Sequence, residues 1–181
     1  MEVSPSGLGE LLILSPQKFE DERGFFFEAW RQEAFDKLVG RNVVFVQENV
    51  SFSRRGVLRG LHFQRDPHAQ GKLVSVPSGT IFDVAVDLRS GSRTFGRHFA
   101  TELSSGHHRM LWIPEGFAHG FLVLSETAVV HYKTTRPYAP DCEGGIRWND
   151  PDLAISWPLE GGQPLVSAKD AAAPLFAEFV P

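Results

Sequence analysis

Short segments of alternating apolar and polar residues, separated by turn-forming residues, are the feature that most constrains the fold of this chain. The alternation is clearest over Thr80–Leu88, where Val84 and Val86 share one face and Asp83 and Ala85 share the other. Strands of this length at this density predict an all-β sandwich, jelly roll or barrel. The predicted strands are Leu11–Leu14, Val43–Val46, Val57–Gln64, Leu73–Val76, Thr80–Leu88, Met110–Ile113, Gly120–Ser125 and Ala128–Thr134.

Helices are expected only at the periphery of this β fold. An apolar stripe predicts a helix over Gln32–Val39, with Gly40 as its C-terminal stop, and a second short helix is expected around Ala168–Ala173. The length of 181 residues fits one domain, and we find no repeat or linker. We therefore expect a single domain over residues 1–181 with a few short peripheral helices.

The composition of the chain argues against several classes of protein. The formal net charge is −4, whereas a broad nucleic-acid surface needs clustered lysine and arginine. No apolar run approaches the roughly 18 residues of a membrane span, and the first residues do not resemble a secretory signal. The single cysteine, Cys142, excludes an internal disulfide and suits a reducing compartment. We expect a cytoplasmic protein that binds neither nucleic acid nor membrane.

A histidine in the predicted strand Val57–Gln64 is the first candidate for chemistry. A lone histidine among apolar residues is commonly part of the core, but His62 has Arg59 and Lys72 close to it in sequence. Neighbouring cations keep an imidazole neutral, and a neutral imidazole can act as a general base. Strict alternation places Arg59 and His62 on opposite faces, so both reach one pocket only if the strand is bulged, for which Gly60 is the natural place.

Two segments together match the two halves of the cupin signature. Pro114–Gly120 is a turn rich in proline and glycine that leads to His119 at the start of a strand. Gly56 is followed, after five residues, by His62, but Gln64 occupies the position of the second ligand histidine. The signature predicts a cupin-type jelly roll, also called a double-stranded β-helix. Two histidines make a poor metal site, so we predict no metal.

Tyr132 is the candidate partner of the strand histidine. Within Ala128–Thr134 it shares a face with Ala128 and Val130, which predicts a hydroxyl that points into the interior. A buried tyrosine usually donates its hydrogen bond to a backbone carbonyl. If His62 lies on the other side of a bound ring, the two groups form an acid–base pair instead.

Other polar and aromatic residues are ambiguous on their own. Lys169 and Asp170 are most simply a solvated surface pair, although the aspartate could orient the strand histidine through its second ring nitrogen. Gln47 and Asn49 share a strand face and could bind a nucleobase or a sugar hydroxyl. The consecutive phenylalanines Phe25–Phe27 predict packing in the core.

Taken together, these segments resemble the dTDP-4-dehydrorhamnose 3,5-epimerase family, cupin-like jelly-roll enzymes of L-rhamnose biosynthesis. The resemblance extends over nearly the whole chain, from about Gly9 to Asp170 and beyond. Seven motifs occur in the order found in the family, which makes the match specific. The motifs are Asp21–Phe26, Arg59–Gln64, Gln70–Leu73, Phe82–Arg89, Pro114–Phe121, Trp148–Pro151 and Ser167–Asp170.

The resemblance implies a role for each matching residue. His62 is similar to the family's general base, Asp170 to its orienting partner and Tyr132 to its general acid. Lys72 matches the cation that faces the C4 oxygen, and Tyr138 matches an aromatic that stacks on the thymine. The other matches to substrate-contacting positions are Arg23, Glu28, Gln47, Glu48, Asn49, Arg59, His119, Glu143 and Lys169.

The activity implied by the resemblance is epimerisation of dTDP-4-dehydro-6-deoxy-D-glucose at C3 and C5, through an enolate and without a cofactor, to dTDP-4-dehydro-L-rhamnose. A mono-epimerase that acts at C3 or C5 alone is an alternative, because the same residues serve both reactions. A sugar-nucleotide 3,4-ketoisomerase fits the motifs less well, and Gln64 argues against a metal-dependent oxygenase. A non-catalytic cupin that binds a sugar nucleotide is the alternative from another class, but it needs no base, acid and orienting group.

The resemblance also bears on assembly. Family members are homodimers that exchange N-terminal strands, so some contacts to a dTDP-linked keto-sugar are expected to cross the interface.

Glu48 is a mild departure from the family, which usually has aspartate at that position.

Overall fold

A computed structural model describes residues 1–179 of the chain. The strands are β1 (Glu2–Pro5), β2 (Leu12–Ser15), β3 (Lys18–Asp21), β4 (Gly24–Phe27), β5 (Gln47–Arg54), β6 (Leu58–Gln64), β7 (Lys72–Ser78), β8 (Thr80–Asp87), β9 (His98–Ser104), β10 (Met110–Ile113), β11 (Phe117–Val123), β12 (Thr127–Thr134) and β13 (Glu143–Gly145). The helices are α1 (Gln32–Val39) and α2 (Ala168–Ala171), with 3-10 turns at Pro140–Cys142 and Phe176–Glu178. None of these helices is long and apolar enough to cross a membrane.

The strands form two main antiparallel sheets and a separate hairpin. One sheet has the order β1-β2-β10-β7-β12-β5, the other has the order β13-β6-β11-β8-β9, and β3 pairs with β4. Neighbouring strands in each sheet are mostly distant in sequence, as expected when a chain winds back and forth between two sheets. The prediction of an all-β jelly roll with short peripheral helices is confirmed.

The apolar residues of β8 are divided between the two faces of its sheet. Ile81 and Ala85 point between the sheets into the main core, whereas Val84 and Val86 pack on the other face, beneath the C-terminal segment. Each fully buried valine or isoleucine contributes roughly 1.5–3 kcal/mol by leaving water. The alternation read from the sequence is confirmed, and both faces of this strand are covered.

The predicted strand Val43–Val46 is wrong, because the strand of this region begins only at Gln47. At the start of the segment the backbone of Val43 is bonded to side chains of α1, whereas Val46 at its end donates to the carbonyl of Thr134 on β12 at 2.9 Å. Asp36 accepts from the backbone N–H of Val43 at 2.9 Å, and Gln32 donates to the carbonyl of the same residue at 2.6 Å. These two bonds satisfy both backbone groups of Val43, so pairing with β12 starts only at the end of the apolar run.

The prediction that Phe25–Phe27 packs in the core is also wrong. The hairpin β3–β4 is a separate two-stranded sheet, in which Phe25 and Phe27 contact the ring of His108. Even so, Phe19, Phe25 and Phe26 are each more than half exposed. Such an exposed apolar surface is unusual for a two-stranded hairpin, which is only marginally stable in water by itself.

Candidate active site

A cavity of about 650 Å³ opens between the two sheets and is lined by residues from both of them and from the C-terminal segment. Eleven of the fourteen site residues predicted from the sequence line it. They are His62, Tyr132, Asp170, Lys72, Gln47, Asn49, Arg59, His119, Tyr138, Glu143 and Lys169.

A bulge in β6 brings Arg59 and His62 to the same cavity. His62 lies opposite His119 on β11, but Arg59 lies opposite Phe121, so three steps along β6 match two along β11. Gly60 has φ +122°, and a Cβ atom there would lie 2.5 Å from the Cα of Gly120. Only glycine fits this close approach of two backbones, and the predicted bulge at Gly60 is confirmed.

His62 is bonded to a buried carboxylate. Its Nε2 lies 2.6 Å from Oδ1 of Asp170, a residue that is 4% exposed. Ser167 caps α2 and accepts from the backbone N–H of Asp170 at 3.0 Å, which fixes the aspartate at the start of the helix. The carboxylate holds one ring nitrogen, so Nδ1 is the nitrogen that remains for chemistry. The predicted contact between Asp170 and His62 is therefore confirmed.

The pKa of His62 lies below its ordinary value. Burial of the ring is the largest cause, and the charge of Lys72 adds to it, while the Asp170 carboxylate opposes both. Arg59 is not among the causes, so only one of the two cations predicted to act on His62 lowers its pKa. A lowered pKa leaves the imidazole neutral near pH 7, as a general base requires.

Lys72 is a buried cation beside this histidine. It is 8% exposed, and its Nζ donates to the backbone carbonyl of His62 at 3.2 Å. Burial lowers the pKa of Lys72 to about 8, and the negative charges of Asp83 and Glu143 limit that decrease. The cavity therefore holds a positive charge in a site of low dielectric, where it acts strongly on a nearby oxygen.

Tyr132 enters the cavity from the six-stranded sheet, opposite the five-stranded sheet that carries His62. It lies on β12 between Asn49 of β5 and Val74 of β7, and its ring packs partly against the main core. Burial raises the pKa of Tyr132, and the nearby Arg59 charge works against that increase. The hydroxyl is therefore protonated at neutral pH and available as a proton donor.

The mouth of the cavity is formed by a short polar network. Tyr138 is 53% exposed, and its hydroxyl donates to Oε2 of Glu143 at 2.7 Å, while Lys169 forms an ion pair with the same carboxylate. Gln47 accepts from the backbone N–H of Tyr138 at 2.9 Å. An exposed aromatic ring and a cation thus stand at the entrance, held by one carboxylate.

Three predicted substrate contacts lie outside the cavity of this chain. Arg23 is on the exposed hairpin and pairs with Asp21 at 2.5 Å. Glu28 pairs with Arg31 after the hairpin, and Glu48 pairs with Lys133 on the outer face of the sheet. Gln47 and Asn49 face the cavity, so strand alternation turns the residue between them outward.

Two residues of the site were not predicted from the sequence: Asp83, which lies behind the cavity wall, and Ser51, which lines it. Asp83 is fully buried, and its carboxylate oxygens lie 2.9 and 3.0 Å from Nε2 of His119. The alternation of Thr80–Leu88 placed this aspartate on the same face as Ala85, but it did not show that this face points into the interior. Ser51 lines the cavity from β5, and no group within residues 1–179 bonds its buried hydroxyl oxygen. A single serine in a polar strand carries no signal that could have found it.

Gln64, which occupies the position of the second cupin ligand histidine, bonds to backbone groups of two loops. Gln64 donates to the carbonyl of His68 at 2.7 Å and accepts from the N–H of Ala139 at 2.9 Å, so it anchors two loops. Within residues 1–179, no group of three or more histidine, cysteine or acidic side chains is arranged to hold a metal. That the protein works without a metal stays a prediction from the sequence.

The model of one protein family, described as dTDP-4-dehydrorhamnose 3,5-epimerase, matches residues 5–178. The chain belongs to this family. A dTDP-4-dehydrorhamnose 3,5-epimerase from Salmonella typhimurium strain LT2 is 55% identical over 175 residues, which is 97% of this chain and 95% of that protein. The resemblance that the motifs indicated is confirmed.

Solved structures place this epimerase-family member among close structural relatives. The dTDP-6-deoxy-D-glucose-3,5-epimerase RmlC from Legionella pneumophila Philadelphia 1, in complex with dTDP-4-keto-L-rhamnose, has a TM-score of 0.94 and 49% identity, covering 99% of this chain and 94% of that one. ChmJ, a 3'-monoepimerase from Streptomyces bikiniensis in complex with dTDP-quinovose, has a TM-score of 0.89 and 34% identity, covering 96% and 87%. The fold therefore also occurs in an epimerase of narrower action.

Proposed function

We propose that this protein epimerises dTDP-4-dehydro-6-deoxy-D-glucose at C3 and C5 to dTDP-4-dehydro-L-rhamnose. The observation that carries the proposal is that His62, bonded to Asp170, and Tyr132 line one cavity from different sheets, with Lys72 buried beside the histidine. Family membership and the ligand-bound relative support the same substrate class.

The reaction is a proton transfer next to a ketone. His62 takes the proton from the carbon, the C–H electron pair forms the enolate, and negative charge develops on the C4 oxygen. Lys72 stabilises that oxygen with a charge that is already in place, which is the effect of a preorganised oxyanion site. Tyr132 donates a proton to the opposite face of the carbon and so inverts it. His62 then releases its proton to water and Tyr132 takes one up, so both groups are restored and the same steps are repeated at the second carbon.

Asp170 acts through the histidine. It accepts from Nε2, fixes the tautomer that leaves Nδ1 free, and stabilises the imidazolium that forms after proton transfer. The substrate and product contain the same atoms at the same oxidation level, so the reaction needs no redox cofactor.

The rest of the cavity fits a nucleotide-linked sugar. Arg59 and Lys169 offer positive charge to a diphosphate, and the exposed ring of Tyr138 offers a surface for stacking on the thymine. Gln47 and Asn49 present amide groups for the base or the sugar hydroxyls. Binding the remote nucleotide holds the sugar in register with the base and the acid.

We further propose that the protein works as a homodimer with exchanged N-terminal strands. The exposed phenylalanines of the hairpin and the exposed Val50 and Phe52 on the edge strand β5 supply apolar surface for such an interface. In this arrangement Arg23 and Glu28 would reach the cavity of the partner. Glu48, which faces away from the cavity of its own chain, is assigned to the same interface.

An assay in deuterated water tests the activity and separates it from the mono-epimerase alternative, which the similarity to ChmJ supports. The protein is incubated with dTDP-4-dehydro-6-deoxy-D-glucose, and NMR follows deuterium at each carbon. We expect deuterium at both C3 and C5 and formation of the L-rhamno product. Deuterium at one carbon alone would establish the mono-epimerase, and no enzyme-dependent deuterium at either carbon would refute epimerisation.

A further inference from the structure

The buried carboxylate of Asp83 has no part in the mechanism described above. It lies on β8, inside the five-stranded sheet, and is fully buried. Its two oxygens lie 3.0 and 2.9 Å from Nε2 of His119, a residue that lines the cavity from β11. A buried carboxylate is costly unless positive or hydrogen-bonding groups compensate it, so this contact requires an explanation.

A second buried aspartate on the same strand, Asp87, has a purely structural role. Asp87 is also fully buried, and it accepts from Arg89, Ser92 and Thr94 in the turn that follows β8. None of these three residues lines the cavity. Asp83 differs, because both groups on which it acts, His119 and Lys72, line the cavity.

We propose that Asp83 is a positioning residue that holds the imidazole of His119 in its orientation toward the active-site cavity. The inference rests on the proposed epimerase function and adds a residue to its machinery. Asp83 occupies Nε2 of His119, so Nδ1 is the ring nitrogen left for the substrate. The arrangement repeats the one between Asp170 and His62 on the neighbouring strand.

The effect of Asp83 on Lys72 is electrostatic. Asp83 lies behind the cavity wall on β8. The charged and titratable groups that share the cavity with Lys72 are Arg59 and His62 on β6, His119 on β11, Tyr132 on β12, Tyr138 after that strand, Glu143 on β13, and Lys169 and Asp170 on α2. Asp83 and Glu143 are the negative charges that favour the ammonium. Removing the first of them lowers the pKa of Lys72 further below about 8, so the charge that stabilises the enolate is lost at a lower pH.

Kinetics of Asp83→Asn, with Asp87→Asn as the matched control, test the proposal. We expect Asp83→Asn to reduce kcat about 10- to 100-fold, as misplacement of a group in the site does, and to move the alkaline limb of the pH profile to lower pH. Asp83→Glu keeps the negative charge, so we expect it to return the alkaline limb of the pH profile to its parental position. Its kcat stays reduced, because the longer side chain displaces the carboxylate. Asp87→Asn lowers the melting temperature but leaves the limb unchanged. A folded Asp83→Asn protein with parental kcat and an unmoved limb would overturn the proposal.

Nitrogen NMR of ¹⁵N-histidine-labelled protein gives a readout that does not depend on epimerase activity. We expect His119 to carry its proton on Nε2 in the parent and to lose that tautomer preference in Asp83→Asn. If Asp83→Asn does not fold, the comparison uses Asp83→Glu, which displaces the carboxylate. An unchanged His119 tautomer contradicts the proposal even if the parent is an active epimerase. If the parent shows no epimerisation but the tautomer changes, the proposed function fails and the Asp83–His119 contact stands.

Discussion

His62 and His119 lie directly opposite each other on the antiparallel strands β6 and β11, and each ring is bonded through Nε2 to a buried aspartate. One aspartate, Asp170, comes from the C-terminal segment, and the other, Asp83, comes from β8. The two imidazoles therefore have fixed orientations side by side on the wall of one cavity. In the proposed mechanism the first removes protons and the second positions the substrate.

Replacement of Asp170 tests its role in orienting the imidazole of His62. We expect Asp170→Asn to leave the fold intact and to reduce kcat by a factor of about 10² to 10⁴, because the amide can favour the wrong histidine tautomer. Steady-state kinetics at pH 7.5 with a circular dichroism control measure this. A folded Asp170→Asn protein with kcat within twofold of the parent would show that the carboxylate does not orient the base.

The pH dependence of kcat/KM follows from two lowered pKa values. His62 must be neutral, so activity falls as pH decreases through its pKa, below the ordinary histidine value. Lys72 must be charged, so activity falls as pH rises through its pKa of about 8. We expect a bell-shaped profile with its maximum between these limits. A profile that stays flat from pH 7 to pH 10 would contradict the role of the lysine.

Lys72→Met separates stability from activity. The pKa of Lys72 is about 8 in the folded protein, whereas the ordinary value of 10.5 applies to the unfolded chain. The unfolded chain therefore binds more protons between these values, and stability rises with pH there. Below about pH 8 the buried charge costs the fold roughly 3 kcal/mol. We expect Lys72→Met to raise the free energy of unfolding at pH 7 by about 2 kcal/mol and to lower kcat by about 10² to 10³. Urea unfolding at pH 7 and pH 10 measures the first effect, which must shrink at the higher pH.

The bulge in β6 is tested by a matched pair of glycine variants. Gly60 and Gly24 have nearly the same backbone angle, φ +122° and +124°, but an added Cβ would meet Gly120 only at the first position. We expect Gly60→Ala to cost about 2–4 kcal/mol and Gly24→Ala about 1–2 kcal/mol, because only the first adds a steric clash to the backbone strain. Equal losses in urea unfolding would show that the close approach of β6 and β11 is not the constraint.

Much of this site was predictable because strand alternation is a simple rule. It placed Tyr132 toward the interior and showed that Arg59 and His62 needed a bulge. The glycine between them, Gly60, was the natural place for that bulge. The contact between Asp170 and the histidine joins residues 108 positions apart. No local pattern predicts such a contact, and it came from the resemblance to the family.

The errors have equally physical causes. Val43–Val46 has the apolar composition of a strand, but side chains of α1 bond both backbone groups of Val43, and bonding to β12 starts at Val46. The phenylalanines of the hairpin were assigned to the core because a single sequence does not show which apolar surface is covered within its own chain. The alternation of β8 assigned Asp83 to a face, but it showed neither that this face points into the interior nor that His119 on another strand is its partner.

The most direct test of the central claim follows deuterium incorporation in His62→Ala and Tyr132→Phe. Each variant is incubated with dTDP-4-dehydro-6-deoxy-D-glucose in deuterated water, and NMR measures label at C3 and C5 separately from inversion. We expect His62→Ala to lose exchange at both carbons, and Tyr132→Phe to keep exchange but complete inversion slowly. Deuterium entering the sugar at the parental rate in folded His62→Ala would contradict the assignment of the base.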